Sequence, residues 1–139
     1  HIIVGQDTDA MSDPISANMA WAVHLDKRDF LGKRPLLRVS EAGVKQLLVG
    51  FKMVRPDVVP EEGMQVVVRE SGGVLESVGW VSSSRFSPTL KETIGLCWLP
   101  VDLAAQNGGS FTIHVNGALE EARVHHGAFY DPEGERLRM

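Results

Sequence analysis

The sequence holds a single cysteine, Cys97, in 139 residues. That count excludes an internal disulfide and any thiolate-rich zinc or iron–sulfur centre within the chain. No apolar run approaches the ~18 residues that span a bilayer as a helix, so no membrane partner is expected. Basic residues are few: 14 Lys and Arg against 18 Asp and Glu give a formal charge of -4. Nucleic acid selects the opposite, a clustered positive surface, and is not expected as a partner. The common catalytic signatures are also missing, with no P-loop, no Gly-x-Gly-x-x-Gly, no Gly-x-Ser-x-Gly and no His-Glu-x-x-His. The stretch is therefore expected to hold no catalytic residue of its own. It starts at His1, without an initiator Met or a secretion signal, and reads as a piece of something longer. With one cysteine, that favours a reducing, cytoplasmic setting.

What is present is the composition of a globular protein, 43% hydrophobic and 23% charged. A chain of this size buries roughly two-thirds of its unfolded surface, enough for a core without staples. Two textures follow each other. Residues 1–43 open with a polar, turn-prone loop (Asp7, Thr8, Asp9, Ser12, Asp13, Pro14). A short helical turn is expected over Ser16–Ala20, an extended stretch over Trp21–Leu25, and a helix from Gly32 to Ser40. Pro35 sits early in that helix, where its missing N–H does least harm, and Gly43 suits its C-terminal cap. Residues 44–139 instead alternate with period two. Leu47, Val49, Phe51 and Met53 mark a first strand, Met64, Val66 and Val68 a second, and Val74, Val78 and Trp80 a third. Ser71-Gly72-Gly73 makes the reversal between the second and the third. Ile94, Leu96 and Trp98 follow the turn Ser87-Pro88-Thr89, and Phe111, Ile113 and Val115 run into Asn116-Gly117, the dipeptide suited to a type I′ hairpin. The strand Ala118–His125 pairs back. The expected fold is mainly β, α+β overall: a small six-stranded antiparallel barrel or sandwich after an N-terminal segment, with a charged tail.

Several residues could carry chemistry. His125 and His126 are adjacent, so on a strand they point to opposite faces and are poorly placed to share a metal. Ser82-Ser83-Ser84 with Arg85 and Ser87 could hold an anion, or form a turn whose hydroxyls satisfy their own backbone. Cys97, between Leu96 and Trp98, reads as a small buried hydrophobe with no base beside it. Asp7 and Asp9 could orient a ligand or cap backbone groups, and Trp21 could be a ligand platform or core.

His1-Ile2-Ile3-Val4-Gly5-Gln6-Asp7-Thr8-Asp9, Pro14, Trp21-Ala22-Val23 and Asp29-Phe30-Leu31-Gly32-Lys33-Arg34 resemble the folate-binding superfamily that includes the glycine cleavage T-protein. Gly79-Trp80-Val81-Ser82-Ser83, Ser87-Pro88-Thr89-Leu90 and Ile94-Gly95-Leu96 resemble its C-terminal barrel. Within the superfamily, Gly5-Gln6-Asp7-Thr8-Asp9 and Phe129-Tyr130-Asp131-Pro132-Glu133-Gly134 look more like the α subunit of heterotetrameric sarcosine oxidase. The resemblance implies that residues 1–43 end a folate-binding aminomethyltransferase-like domain and that 44–139 form the barrel. It implies an oxidoreductase in which flavin chemistry oxidises the N-methyl group of sarcosine to an imine and tetrahydrofolate takes up the one-carbon unit. Flavin and NAD would sit elsewhere in the complex. The partners implied are the upstream part of the same subunit and the other oxidase subunits. Trp21 is carried over as a neighbour of bound tetrahydrofolate and Asp7 as a residue shaping the pocket wall. An aminomethyltransferase of the T-protein kind, or a non-catalytic folate-fold module with a structural or regulatory role, are the alternatives.

Overall fold

A computed structural model describes residues 2–69 and 72–138. Its centre is a closed barrel of six antiparallel strands in the order β1-β4-β3-β2-β5-β6. The strands are β1 (Gln46–Met53), β2 (Gln65–Arg69), β3 (Leu75–Ser87), β4 (Glu92–Pro100), β5 (Ser110–Val115) and β6 (Ala118–His125). The barrel is closed by β1 pairing with β6, where Phe51 lies opposite Val124. Inward side chains from all six strands fill it, among them Val49, Phe51, Val66, Val81, Cys97, Leu99, Ile113 and Val124. Phe51 is fully buried and meets Phe111 edge to face at 6.1 Å and 80°. Burying a side chain of this size contributes roughly 1.5–3 kcal/mol.

The expected β-hairpin turn is present, since Asn116 and Gly117 both take positive φ, 48° and 86°. Gly72 and Gly73 are also left-handed, at 118° and 84°; Ser71 of that reversal lies outside the described residues. The helix α1 runs Lys33–Ala42, and its Gly43 cap (φ 75°) donates to the carbonyl of Val39. A second, short helix α2 (Val101–Ala104) follows β4. No helix among the described residues is long and apolar enough to cross a membrane.

Three local expectations are corrected. Trp21 lies in a 3-10 turn, Ala20–Ala22, and not in an extended stretch; Ala22 and Val23 donate to the carbonyls of Met19 and Ala20, both at 3.0 Å. Val74 falls outside β3 and is exposed. Ile94, Leu96 and Trp98 belong to the outer face of β4, while Thr93, Gly95, Cys97 and Leu99 are the fully or nearly fully buried alternate set. The cause is that β1 and β4 are covered on both sides, so their sequences are nearly continuous apolar runs whose period does not reveal which face is core.

β3 is the long, bent strand. Its register slips twice, passing over Val78 against β2 and over Ser82 against β4. Each slip is a β-bulge, which leaves one residue unpaired and bends the strand, here around the barrel. Gly79 lies between them because nothing larger fits: a Cβ there would sit 2.1 Å from the carbonyl oxygen of Trp98.

Candidate functional site

The outer face of β1, β4 and β3 is where the N-terminal segment lies down. Ser82, the unpaired residue of the second bulge, points out of the barrel, and its hydroxyl donates to Asp7 Oδ1 at 2.6 Å. Asp7 Oδ2 accepts from the backbone N–H of Ile3 at 2.8 Å. The carbonyl of Asp7 accepts from the indole N–H of Trp98 at 3.0 Å. The Gln6 side-chain amide donates a hydrogen bond to the carbonyl of Ser82 at 3.1 Å, and Leu48 in β1 donates to the carbonyl of Ser16 at 2.9 Å. Asp7 is 1% exposed. Both its carboxylate oxygens are thus committed within the protein, and its part is to fix the loop that forms one wall of the site.

That loop, with Ser12, Asp13 and Ser16, borders a cavity of about 440 Å³ whose other wall includes Lys45, Trp80 and Trp98. The two indoles stack at 5.9 Å and 25°, as their opposed positions on β3 and β4 allow. The cavity is therefore lined by two indoles and by the polar groups of the loop. Asp9 Oδ1 accepts from the Met11 N–H and the Ser12 hydroxyl, both at 2.9 Å, and the Ser12 hydroxyl bond first, then the backbone bonds, hold Asp9 below the usual carboxylate range. Asp13 accepts from the N–H groups of Ile15 and Ser16 at 2.8 and 3.0 Å and from the Ser16 hydroxyl. Burial pushes its carboxyl up, but these bonds outweigh it and leave it low. Both aspartates cap turns.

Trp21 does not meet Asp7. It is 79% exposed, so it lies outside the barrel core, and it borders a different cavity of about 460 Å³ shared with Met19, Leu48, His125, Phe129 and Tyr130. His125 stacks on Phe129 at 4.8 Å and 16°. His126 is within 2.7 Å of the carbonyl of Ala104 through its ring Nε2. Among the described residues no group of three His, Cys, Asp or Glu converges on a metal position.

The serine stretch is not a turn. It lies within β3, where the Ser82 hydroxyl serves Asp7, the Ser84 hydroxyl donates to the carbonyl of Pro60, and Arg85 reaches the adjacent carbonyl of Ser84 at 3.2 Å. Cys97 is fully buried, and burial pushes its thiol far above the ordinary range. Sequence reasoning missed the Trp80–Trp98 stack and the bulge at Ser82. Two tryptophans on neighbouring strands were a usable signal for the stack; the bulge left none.

The family of the glycine cleavage T-protein C-terminal barrel domain matches residues 46–131. The aminomethyltransferase of Halothermothrix orenii is 36% identical over 115 residues, 83% of this chain and 30% of that protein. The aminomethyltransferase of a Synechococcus strain is 36% identical over 132 residues, 92% of this chain and 33% of that protein. The crystal structure of glycine cleavage system aminomethyltransferase T from Bartonella henselae superposes with a TM-score of 0.80 at 23% identity, over 95% of this chain and 36% of that one. The chain spans about a third of the length of these relatives. With a closed six-stranded barrel in place and the match running from β1 through β6, the chain belongs to the glycine cleavage T-protein C-terminal barrel domain family.

Proposed function

We propose that this chain is the C-terminal part of a tetrahydrofolate-dependent, aminomethyltransferase-type protein, in which the barrel carries the N-terminal segment as one wall of the folate pocket. The observation that carries the reading is Trp21: an indole 79% exposed, fixed by a 3-10 turn, at the edge of a cavity of about 460 Å³. A flat exposed indole beside a cavity of that size fits an aromatic ligand such as a pterin or its aminobenzoyl arm. Tetrahydrofolate, when bound, supplies the acceptor for a one-carbon unit. Trp21 would lie against its ring, and Asp7, with both oxygens satisfied internally, would hold the neighbouring loop. Flavin and NAD belong only to the oxidase reading below, in which other parts of the complex would hold them.

A second reading, the sarcosine oxidase α subunit, is supported by Gly5-Gln6-Asp7-Thr8-Asp9 and by Phe129-Tyr130-Asp131-Pro132. The full-length protein separates the two. Methylenetetrahydrofolate formed from an aminomethylated carrier without peroxide supports the transferase; sarcosine-dependent peroxide with folate-dependent product supports the oxidase. A full-length protein that fails to bind tetrahydrofolate overturns both.

A further inference from the structure

Arg85 stands on the outer face of β3, opposite Ile94 of β4, and is the one charged side chain among the described residues that line a third cavity, of about 250 Å³. The apolar side chains of Ile94, Leu96 and Phe129 make up much of its wall, with Ser83 beside the guanidinium. A guanidinium has five N–H donors, and Arg85 directs one of its nitrogens to the carbonyl of Ser84 at 3.2 Å. Lys52 faces the same Ile94 from β1 but is paired with Glu92 at 2.7 Å. No carboxylate among the described residues lies within ion-pair distance of Arg85. The chain as a whole is acidic, at -4, so an anion drawn to this cavity is drawn by this guanidinium and not by bulk charge.

Leu96 and Phe129 line this cavity and the Trp21 cavity alike, so the two adjoin. Their boundary is well held: Phe129 sits over Gly50, where an added Cβ would lie 2.8 Å from its ring, and stacks on His125. Pairing runs from Gly50 to Leu96 to Ser83 across β1, β4 and β3, with Arg85 two residues farther along the same face. Two strand spacings and two residues of rise put Arg85 on the order of 12 Å from the Gly50 position. A ligand that is flat at one end and anionic at the other can bridge the two cavities. We propose that Arg85, with Ser83 beside it, is the subsite for the carboxylate tail of the folate whose ring lies against Trp21. The proposal rests on the folate reading and extends it to which folates are preferred. Tetrahydrofolate carries its tail carboxylates on a glutamate behind the aminobenzoyl arm, and the planar fork of an arginine matches a carboxylate through two parallel N–H···O bonds.

The test titrates the full-length protein with tetrahydrofolate and with tetrahydropteroate, which keeps the ring and the aminobenzoyl arm and lacks the glutamate. The unmodified protein is expected to bind tetrahydrofolate about tenfold or more tightly than tetrahydropteroate, and Arg85→Ala to abolish that difference by weakening tetrahydrofolate alone. Arg85→Lys should restore only part of it, since an ammonium offers a point charge and no fork. Equal affinity of the unmodified protein for the two ligands overturns the proposal and leaves the folate reading standing. Equal weakening of both ligands by Arg85→Ala, with a lower melting temperature, also overturns it, by assigning Arg85 to a carboxylate of the protein itself. Failure to bind either ligand overturns the folate reading and the proposal with it. Should Arg85→Ala fail to fold, the comparison of the two ligands on the unmodified protein decides.

Discussion

Replacing Asp7 by alanine removes the acceptor of two hydrogen bonds that hold the N-terminal loop on the barrel. One donor, the Ser82 hydroxyl, is buried with Ser82 itself 1% exposed, and the other, the Ile3 N–H, is partly buried. In Asp7→Ala the Ser82 hydroxyl keeps only the longer bond to the carbonyl of Leu96 at 3.2 Å and the Ile3 N–H loses its acceptor, so the substitution is expected to cost about 1–3 kcal/mol by denaturant titration. Asp7→Asn should cost less. Its amide oxygen can still accept from Ile3, its NH₂ can donate to Ser82, and the Ser82 hydroxyl can turn to the carbonyl of Leu96, which lies 3.2 Å away. A double-mutant cycle with Ser82→Ala should give a coupling of roughly 0.5–3 kcal/mol, the range for side chains in direct contact. An Asp7→Ala protein within about 0.5 kcal/mol of the original, the usual spread of harmless surface changes, would refute the anchoring role. So would strict additivity with Ser82→Ala.

Cys97 should resist a thiol reagent in the native chain and react at once in denaturant, because burial holds it as a neutral thiol; equal rates in both conditions contradict this. Gly79→Ala should destabilise the barrel by about 3 kcal/mol, the upper part of the range for overpacking, since the new Cβ would meet a strand carbonyl and not a movable side chain; thermal melting checks it. Asp13, whose folded carboxyl lies below its usual 3.8, contributes stability that is present above that pH and lost as pH falls through the lower folded value. Asp13→Asn should therefore flatten the acid limb of the stability curve, measured by denaturant titration across that window.

The strands of the barrel were legible because a half-buried strand writes its period into the sequence, as Phe111, Ile113 and Val115 do beside Asn116-Gly117. The faces of β4 were not, because on its outer face Trp98 is buried under the Asp7 loop and Ile94 and Leu96 are half-buried, while Cys97 and Leu99 lie in the core. A bulge depends on how two strands meet, which no single strand records, so Ser82 could not be placed against Asp7 from a distance of 75 residues. The capping role of Asp9 was local and therefore readable, whereas that of Asp13 was read only as part of a turn-prone loop. That Trp21 and Asp7 border separate cavities is a matter of tertiary placement, and spacing along the chain said nothing of it.

Titration of the full-length protein with tetrahydrofolate, before and after Trp21→Ala, tests the central claim most directly. Loss of the ring contact is expected to weaken binding by roughly five- to two-hundred-fold, the equivalent of about 1–3 kcal/mol of apolar contact, with the melting temperature nearly unchanged because the indole is 79% exposed. Unchanged affinity in a folded Trp21→Ala protein would contradict the account.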